Sequence, residues 1–391
     1  MSHLEKKGGY LINNLQRKKN YFASYFLCFT FFINHLPLNA LPKVTKSSVF
    51  KIKNKNKNKV IQLSIRRFQS EQGKPVILSH PLALSNLAME KLGYALWQQG
   101  YDVWMPNTRG HGRKEERSIV HPYKRNDYGF DKIITEDWPY LLKYIYQKKQ
   151  QKIIILGHSM GGMSWEQTLS GVYSKNGSIK QSDEISRERA KMVSSFIAVT
   201  TPPHLKKIPS SIKAITYSFT PIVSNFPFYF PIEVEGKYSR NRSLFSKKPL
   251  STFRNDFIYR VFEEVLPYGI VEESNTKAKN NELKNLLFET VSSPHTDSLS
   301  DFFRWIRSQY ESKDKNVSYE KNKNIFAPTL LIAAGKDLLA PPTPIKKSMS
   351  LYPKTTPIKF INFKKYSHLD ILFESNITTI IENIINFDTN S

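Results

Sequence analysis

The stretch KIIILGHSMGGMS, Lys152–Ser164, decides how this sequence is read. Four aliphatic residues, Ile153–Leu156, run straight into Gly157-His158-Ser159-Met160-Gly161-Gly162. A short apolar run of this kind reads as a strand buried on both faces. The residues after it, MGGMSWEQTLSGVYS, read as the start of a helix. A serine held between glycines where a strand meets a helix fits G-x-S-x-G. The spacing has a mechanical reason. The serine must occupy a tight, strained turn, and a side chain on either flanking glycine would strike the neighbouring backbone. Such a turn lifts the hydroxyl above the sheet. It also leaves the next backbone N–H, that of Met160, at a helix N-terminus facing a developing oxyanion. An ordinary strand–helix turn is the alternative, and the pentapeptide alone does not decide between them.

A serine hydroxyl is a weak nucleophile at neutral pH. It needs a histidine base, and the histidine needs a carboxylate to hold its tautomer. On a parallel sheet both are expected past the C-terminal ends of later strands, the acid before the histidine. Asp337 follows TLLIAAGK, and His368 follows IKFINFKKYS. The chain has 9 histidines, but only His368 has this position. Asp370 is a rival acid, expected rather to cap the last helix. A second oxyanion donor should come from the loop after KPVILSH, which reads His80-Pro81-Leu82. Proline has no N–H, so Leu82 is the candidate donor and His80 is expected to pack the loop.

Outward from these residues, strands and helices alternate. KPVILSH (Lys74–His80) reads as a strand. SNLAMEKLGYALWQQG reads as a helix with Ser85 as its N-cap and Gly100 as its stop. YDVWMPNTRGHG begins as a strand and ends in a Gly-rich loop. ITEDWPYLLKYIYQKK (Ile134–Lys149) has helical spacing, and MVSSFIAVTTPP (Met192–Pro203) is again a strand. The alternation lapses after His204 and resumes at APTLLIAAGKD. This pattern predicts an α/β fold with a mostly parallel, doubly wound sheet and an inserted cap. The expected divisions are a core at 60–203 and 325–391 and a cap or lid at 204–324. DFIYRVFEEVL and SLSDFFRWIRSQYE within the cap read as amphipathic helices. SFTPIVSNFPFYFP, with its prolines, reads as a lid loop.

The 391 residues are 40% hydrophobic and 13% aromatic, enough for a large core. The single cysteine, Cys28, excludes an intrachain disulfide and a cysteine metal cluster. The histidines form no H-x-x-x-H cluster, so neither metal nor cofactor is expected. The formal net charge of +25 first points to nucleic acid. Its distribution argues otherwise: Met1–Arg67 carries 14 Lys and Arg against Glu5 alone. No nucleic-acid motif accompanies it, and the basic run lacks interleaved aromatics. KIKNKNKNK at Lys51–Lys59 reads as a solvated linker spanning 41–59, with contact to an anionic membrane surface as the sharper alternative. Before it, Arg17, Lys18 and Lys19 precede an apolar stretch from Tyr21 to Ile33 and small residues ending at Ala40. That order fits a secretory signal over 1–40, with export to the periplasm or outside the cell. An uncleaved anchor is the other reading.

GYDVWMPNTRGHG, GHSMGG, PTLLIAAGKD and SHLDIL resemble the motif set of α/β-hydrolase-fold serine hydrolases, especially the acid-lipase-like enzymes of the lipase and esterase branch. The resemblance covers roughly Lys74–Pro203 and Ala327–Phe387. It implies Ser159 as nucleophile, Asp337 as acid and His368 as base, with Met160 and Leu82 as backbone oxyanion donors. It departs at Pro81, where that family has glycine, and in the insertion. A serine at the elbow, where dehalogenases carry aspartate and dienelactone hydrolases cysteine, implies attack on an acyl carbonyl. The expected activity is hydrolysis of hydrophobic acyl esters through an acyl-enzyme. An acyltransferase or thioesterase on the same site, or a membrane-surface binding protein with little catalysis, are the alternatives. Phe219, Phe226 and Phe228, with Tyr217, Tyr229 and Phe230, are candidates to line an acyl pocket or face lipid, or else to form the cap's own core.

Overall fold

The apolar runs are strands, and most of them lie side by side in one sheet. The computed structural model describes residues 45–54, 59–113, 116–205, 210–229, 289–320, 323–372 and 374–389. All of these fall in one compact unit, Thr45–Ser391. The proposed signal segment and the DFIYRVFEEVL helix lie outside the described residues. In chain order the first half contains β1 (Thr45–Asn54), β2 (Lys59–Phe68), β3 (Pro75–Ser79), helix α1 (Glu90–Gln98), β4 (Asp102–Pro106), β5 (Ile119–His121) and α2 (Trp138–Lys149). Next come β6 (Ile153–His158), α3 (Met160–Leu169), the hairpin β7 (Val172–Lys175) and β8 (Ser178–Gln181), α4 (Asp183–Ala190) and β9 (Val193–Val199). The chain continues through α5 (Ser210–Asn225), α6 (Thr296–Arg307), β10 (Thr329–Ala334), α7 (Pro342–Ser348), β11 (Ile358–Phe363) and α8 (Glu374–Thr389).

The sheet order is β1-β2-β4-β3-β6-β9-β10-β11, with β5 added to β2. Pairing is antiparallel among β1, β2 and β4 and parallel from β4 through β11. β3, β4, β6 and β10 are buried along their whole length. That burial explains why they read as unbroken apolar runs rather than as alternating ones. The core centres on two stacked indoles, Trp138 and Trp165, with ring centroids 5.0 Å apart and planes 10° apart. Each has its N–H satisfied, Trp165 by Ser79 Oγ at 2.7 Å and Trp138 by Ser164 Oγ at 2.8 Å. A buried indole needs such a partner. Trp165 lies on α3, so this packing ties the helix after Ser159 to the end of β3.

Three local expectations need correction. The basic stretch 41–59 is not a linker throughout, because Thr45–Asn54 forms β1 in register with β2 from Thr45↔Arg67 to Asn54↔Lys59. In the sequence Phe50 and Ile52 alternate with Lys51 and Lys53, the two-residue period of a strand. SFTPIVSN is helical rather than a loop, since α5 carries Pro221 in its interior. One internal proline removes a single N–H bond at a cost of about 3 kcal/mol, and α5 meets this by packing against α6. Phe228 N–H donates to Thr296 Oγ1 at 3.0 Å, and Thr296 N–H to Phe228 O at 2.9 Å. Ser85 is not a side-chain cap: the helix opens as a 3₁₀ turn, Asn86–Met89, and Ser85 Oγ donates to Thr290 O at 3.0 Å.

Trp165→Ala should lower unfolding free energy by about 3–5 kcal/mol, the range for a buried Trp, measured by urea denaturation. Tyr217→Ala, at an exposed position, should cost under about 0.5 kcal/mol. A Trp165 loss as small as that at Tyr217 would contradict this account of the core.

Candidate active site

The crevice lies where the strand order turns back. From β3 the chain moves outward through α1 to β4; from β6 it moves the other way through α3 to β9. The loops leaving the C-terminal ends of β3 and β6 therefore part. That gap is where open α/β sheets bind ligands. Leu82 follows β3 and Ser159 follows β6.

Ser159 sits between β6 and α3 with φ +53° and ψ −116°. An L-residue rarely takes this conformation. Its N–H donates to Val199 O and its C=O accepts from Met163 N, both at 2.9 Å. A Cβ on Gly157 would stand 2.4 Å from Gly162 N, and one on Gly161 2.4 Å from Ser79 O. Both glycines are therefore required, and the second brings the elbow into contact with the end of β3. Met160 is the first residue of α3 and fully buried.

Asp337 and His368 are brought together. Asp337 Oδ2 lies 2.7 Å from His368 Nδ1. The other carboxylate oxygen accepts from Leu339 N at 2.8 Å and Ala340 N at 2.9 Å, which fixes its rotation. A carboxylate only accepts, so Nδ1 carries the proton and Nε2 is left as the basic nitrogen. His158, the residue before Ser159, donates from Nε2 to the His368 carbonyl at 2.9 Å, and the two rings lie 5.1 Å apart. This contact joins the elbow to the turn that bears His368. Asp370 Oδ2 accepts from Ser367 N at 2.8 Å and Ser367 Oγ at 2.9 Å, so it braces the His368 turn.

His80 packs the loop after β3. Its Nε2 accepts from Thr108 N at 3.1 Å, which places the proton on Nδ1, and Nδ1 donates to Pro81 O at 2.8 Å. Burial depresses His80 to about 4 and His295, the N-cap of α6, also to about 4. His158 falls to about 3, through burial first and the nearby His368 second. Asp131 goes the other way: burial, then the neighbouring Asp301, raises it to about 6.

The aromatic candidates are spread out. Phe219 and Phe226 on and after α5 are exposed, at 37% and 62%, so neither belongs to the core. Phe228 is half-buried against α6. Phe230 lies outside the described residues. Neither His158 nor the His80 partners were visible as site residues in the sequence, since their roles rest on contacts between distant loops. Among the described residues no cluster of three or more His, Cys, Asp or Glu is placed to hold a metal ion.

A family model described as serine aminopeptidase, S33 matches residues 70–171. Lipase member M of Mus musculus is 23% identical over 345 residues, 78% of this chain and 73% of the relative. The lysosomal acid lipase/cholesteryl ester hydrolase of Homo sapiens is 34% identical over 107 residues, 25% of this chain and 27% of the relative. These similarities support a place in the lipase and esterase branch of the α/β-hydrolase family. A thermophilic esterase from Thermogutta terrifontis shares the fold, with a TM-score of 0.54 at 15% identity, covering 88% of this chain and 100% of that one. The family model spans Leu82 and Ser159 and ends before Asp337 and His368.

The depressed histidines give the hydrolase a pH signature. In the unfolded chain a histidine takes a proton near about 6.5; folded, His158 stays neutral to about 3. Its stabilising share is therefore whole above the unfolded value and is lost as pH falls through the window between the two. Asp131 opposes this, taking up its proton in the folded chain near 6. His158→Gln should flatten the acid fall of stability between pH 6.5 and 4, by up to about 1.4 kcal/mol per pH unit. Denaturation series across that range would show it, and an unchanged slope would contradict the buried neutral His158.

Proposed function

We propose that this chain is a serine ester hydrolase that cleaves hydrophobic acyl esters through an acyl-enzyme on Ser159. The observation that carries the reading is the strained elbow, φ +53° at Ser159, joined through His158 to a histidine already paired with Asp337. In the proposed cycle His368 Nε2 takes the Ser159 proton as Oγ attacks the acyl carbon. The N–H groups of Met160 and Leu82 receive the negative charge that develops on the carbonyl oxygen. Asp337 keeps the Nδ1 proton in place and steadies the imidazolium. His368 then returns the proton to the departing alcohol, and Ser159 keeps the acyl group. Water attacks that ester, giving its proton to His368, and the acid leaves as Ser159 is protonated again.

Residues 204–324 form the substrate-selecting cap in this reading, over a core of 60–203 and 325–391. Exposed Phe219 and Phe226, with Phe228, supply apolar surface for an acyl chain or a lipid surface. The cholesteryl ester hydrolase among the relatives supports a hydrophobic acyl substrate. Export through residues 1–40 is part of the same proposal. So is contact of the basic N-terminal region with a membrane.

A fluorophosphonate probe should label the chain at Ser159, and Ser159→Ala should abolish both labelling and hydrolysis of p-nitrophenyl esters while the protein still folds. Asp337→Asn should lower kcat by about 10³–10⁴-fold through the wrong histidine tautomer, and Asp370→Asn by much less. Activity retained in Ser159→Ala, or a larger loss at Asp370 than at Asp337, would sink the assignment.

A further inference from the structure

The loop after β3 is held by a chain of hydrogen bonds that the reaction itself does not use. It begins at His111, fully buried beyond β4. His111 Nδ1 lies 2.9 Å from Thr108 Oγ1 and 3.3 Å from Arg109 O. A backbone carbonyl only accepts, so one proton on Nδ1 serves both neighbours. Thr108 Oγ1 lies 3.2 Å from His80 Nε2, which also accepts from Thr108 N–H at 3.1 Å. The Thr108 hydroxyl therefore receives from His111 and gives to His80. His80 passes the sequence on, donating from Nδ1 to Pro81 O at 2.8 Å. The His80 and His111 rings lie 5.1 Å apart, and all three residues are fully buried. His111 Nε2 is left as a buried bare nitrogen with no hydrogen-bond partner, so nothing else on the ring competes for its orientation.

The end of this chain is what matters. Pro81 C=O and Leu82 N–H belong to one peptide unit, and cis bonds among the described residues are confined to His121–Pro122. A trans peptide is planar, with C=O and N–H pointing in opposite directions. Holding the oxygen therefore sets where the N–H points. One residue further on, Ala83 has φ +63° and its carbonyl accepts from Ser292 N at 2.9 Å. The Leu82 N–H is thus flanked by two anchored carbonyls.

We propose that His111, Thr108 and His80 form a positioning relay that aims the Leu82 N–H at the oxyanion by pinning the carbonyl of the same peptide. The inference rests on the reading of Ser159 and Leu82 given above. None of the three touches substrate. Their effect is on the transition state, where the donor is used, and not on ground-state binding.

The test compares hydroxyl with shape. Removing an oxyanion donor outright costs about 10²–10³ in kcat, so a donor that is kept but loosened should cost about tenfold. Thr108→Val should lower kcat by about tenfold with KM within about twofold, and should weaken inhibition by an alkyl boronic acid by the same factor. Thr108→Ser should restore most of kcat. His111→Leu and His111→Asn form a second pair, the asparagine keeping a donor near Nδ1, for use if Thr108→Val does not fold. Wild-type kcat in folded Thr108→Val, equal losses in valine and serine variants, or a loss confined to KM would each overturn the relay. Fluorophosphonate labelling of the unmutated chain separates the two levels. No label on Ser159 overturns the reading of the site and the relay with it. A labelled Ser159 with a silent Thr108→Val overturns the relay alone.

Discussion

Ser159 holds a backbone conformation that an L-residue enters at a cost of about 1–3 kcal/mol. What keeps it there is contact too close for any side chain: Gly157 against Gly162 N, and Gly161 against the Ser79 carbonyl. The rest of the crevice depends on that contact. It sets the elbow on the end of β3, and so brings the loop carrying Leu82 beside the N-terminus of α3. The stacked Trp138 and Trp165 support it from behind, with Trp165 hydrogen-bonded to the same Ser79 through its side chain. A strained turn persists only when its surroundings over-determine it. Here the surroundings are the buried centre of the sheet.

Histidines line the C-terminal edge of the sheet: His80, His111 and His368 follow β3, β4 and β11, and His158 is the last residue of β6. Their rings meet in pairs, His80 with His111 and His158 with His368, each 5.1 Å apart. Burial holds the first three neutral. A neutral imidazole keeps one N–H donor and one bare acceptor nitrogen, which lets it hold backbone carbonyls without adding charge. A second charge beside His368 would oppose the imidazolium formed in the proposed cycle.

Much of this was legible in the sequence. The central strands were readable because strands buried on both faces must be apolar throughout, and Asp337 and His368 were readable as residues just past strand ends. The structure brings that pair to 2.7 Å. Other features were not readable. β1 runs into a Lys/Asn stretch whose composition reads as linker, while its strand is set by backbone pairing with β2. α5 hides behind Pro221 because tertiary packing offsets a local penalty that sequence alone counts in full. The β7–β8 hairpin did leave a signal, Asn176-Gly177, both at positive φ, the pair favoured in two-residue hairpin turns. Thr108 and His111 left none, since their meaning depends on a loop 28 residues earlier.

The central claim is a covalent bond between Ser159 and an acyl group. Acid quenching during turnover of a p-nitrophenyl ester, followed by peptide mass spectrometry, tests it most directly. The account predicts an acyl mass increment on the peptide containing Ser159, absent from every other peptide. An increment on a different residue, or turnover with no increment on any peptide under conditions where deacylation is slowed by low temperature, would contradict it.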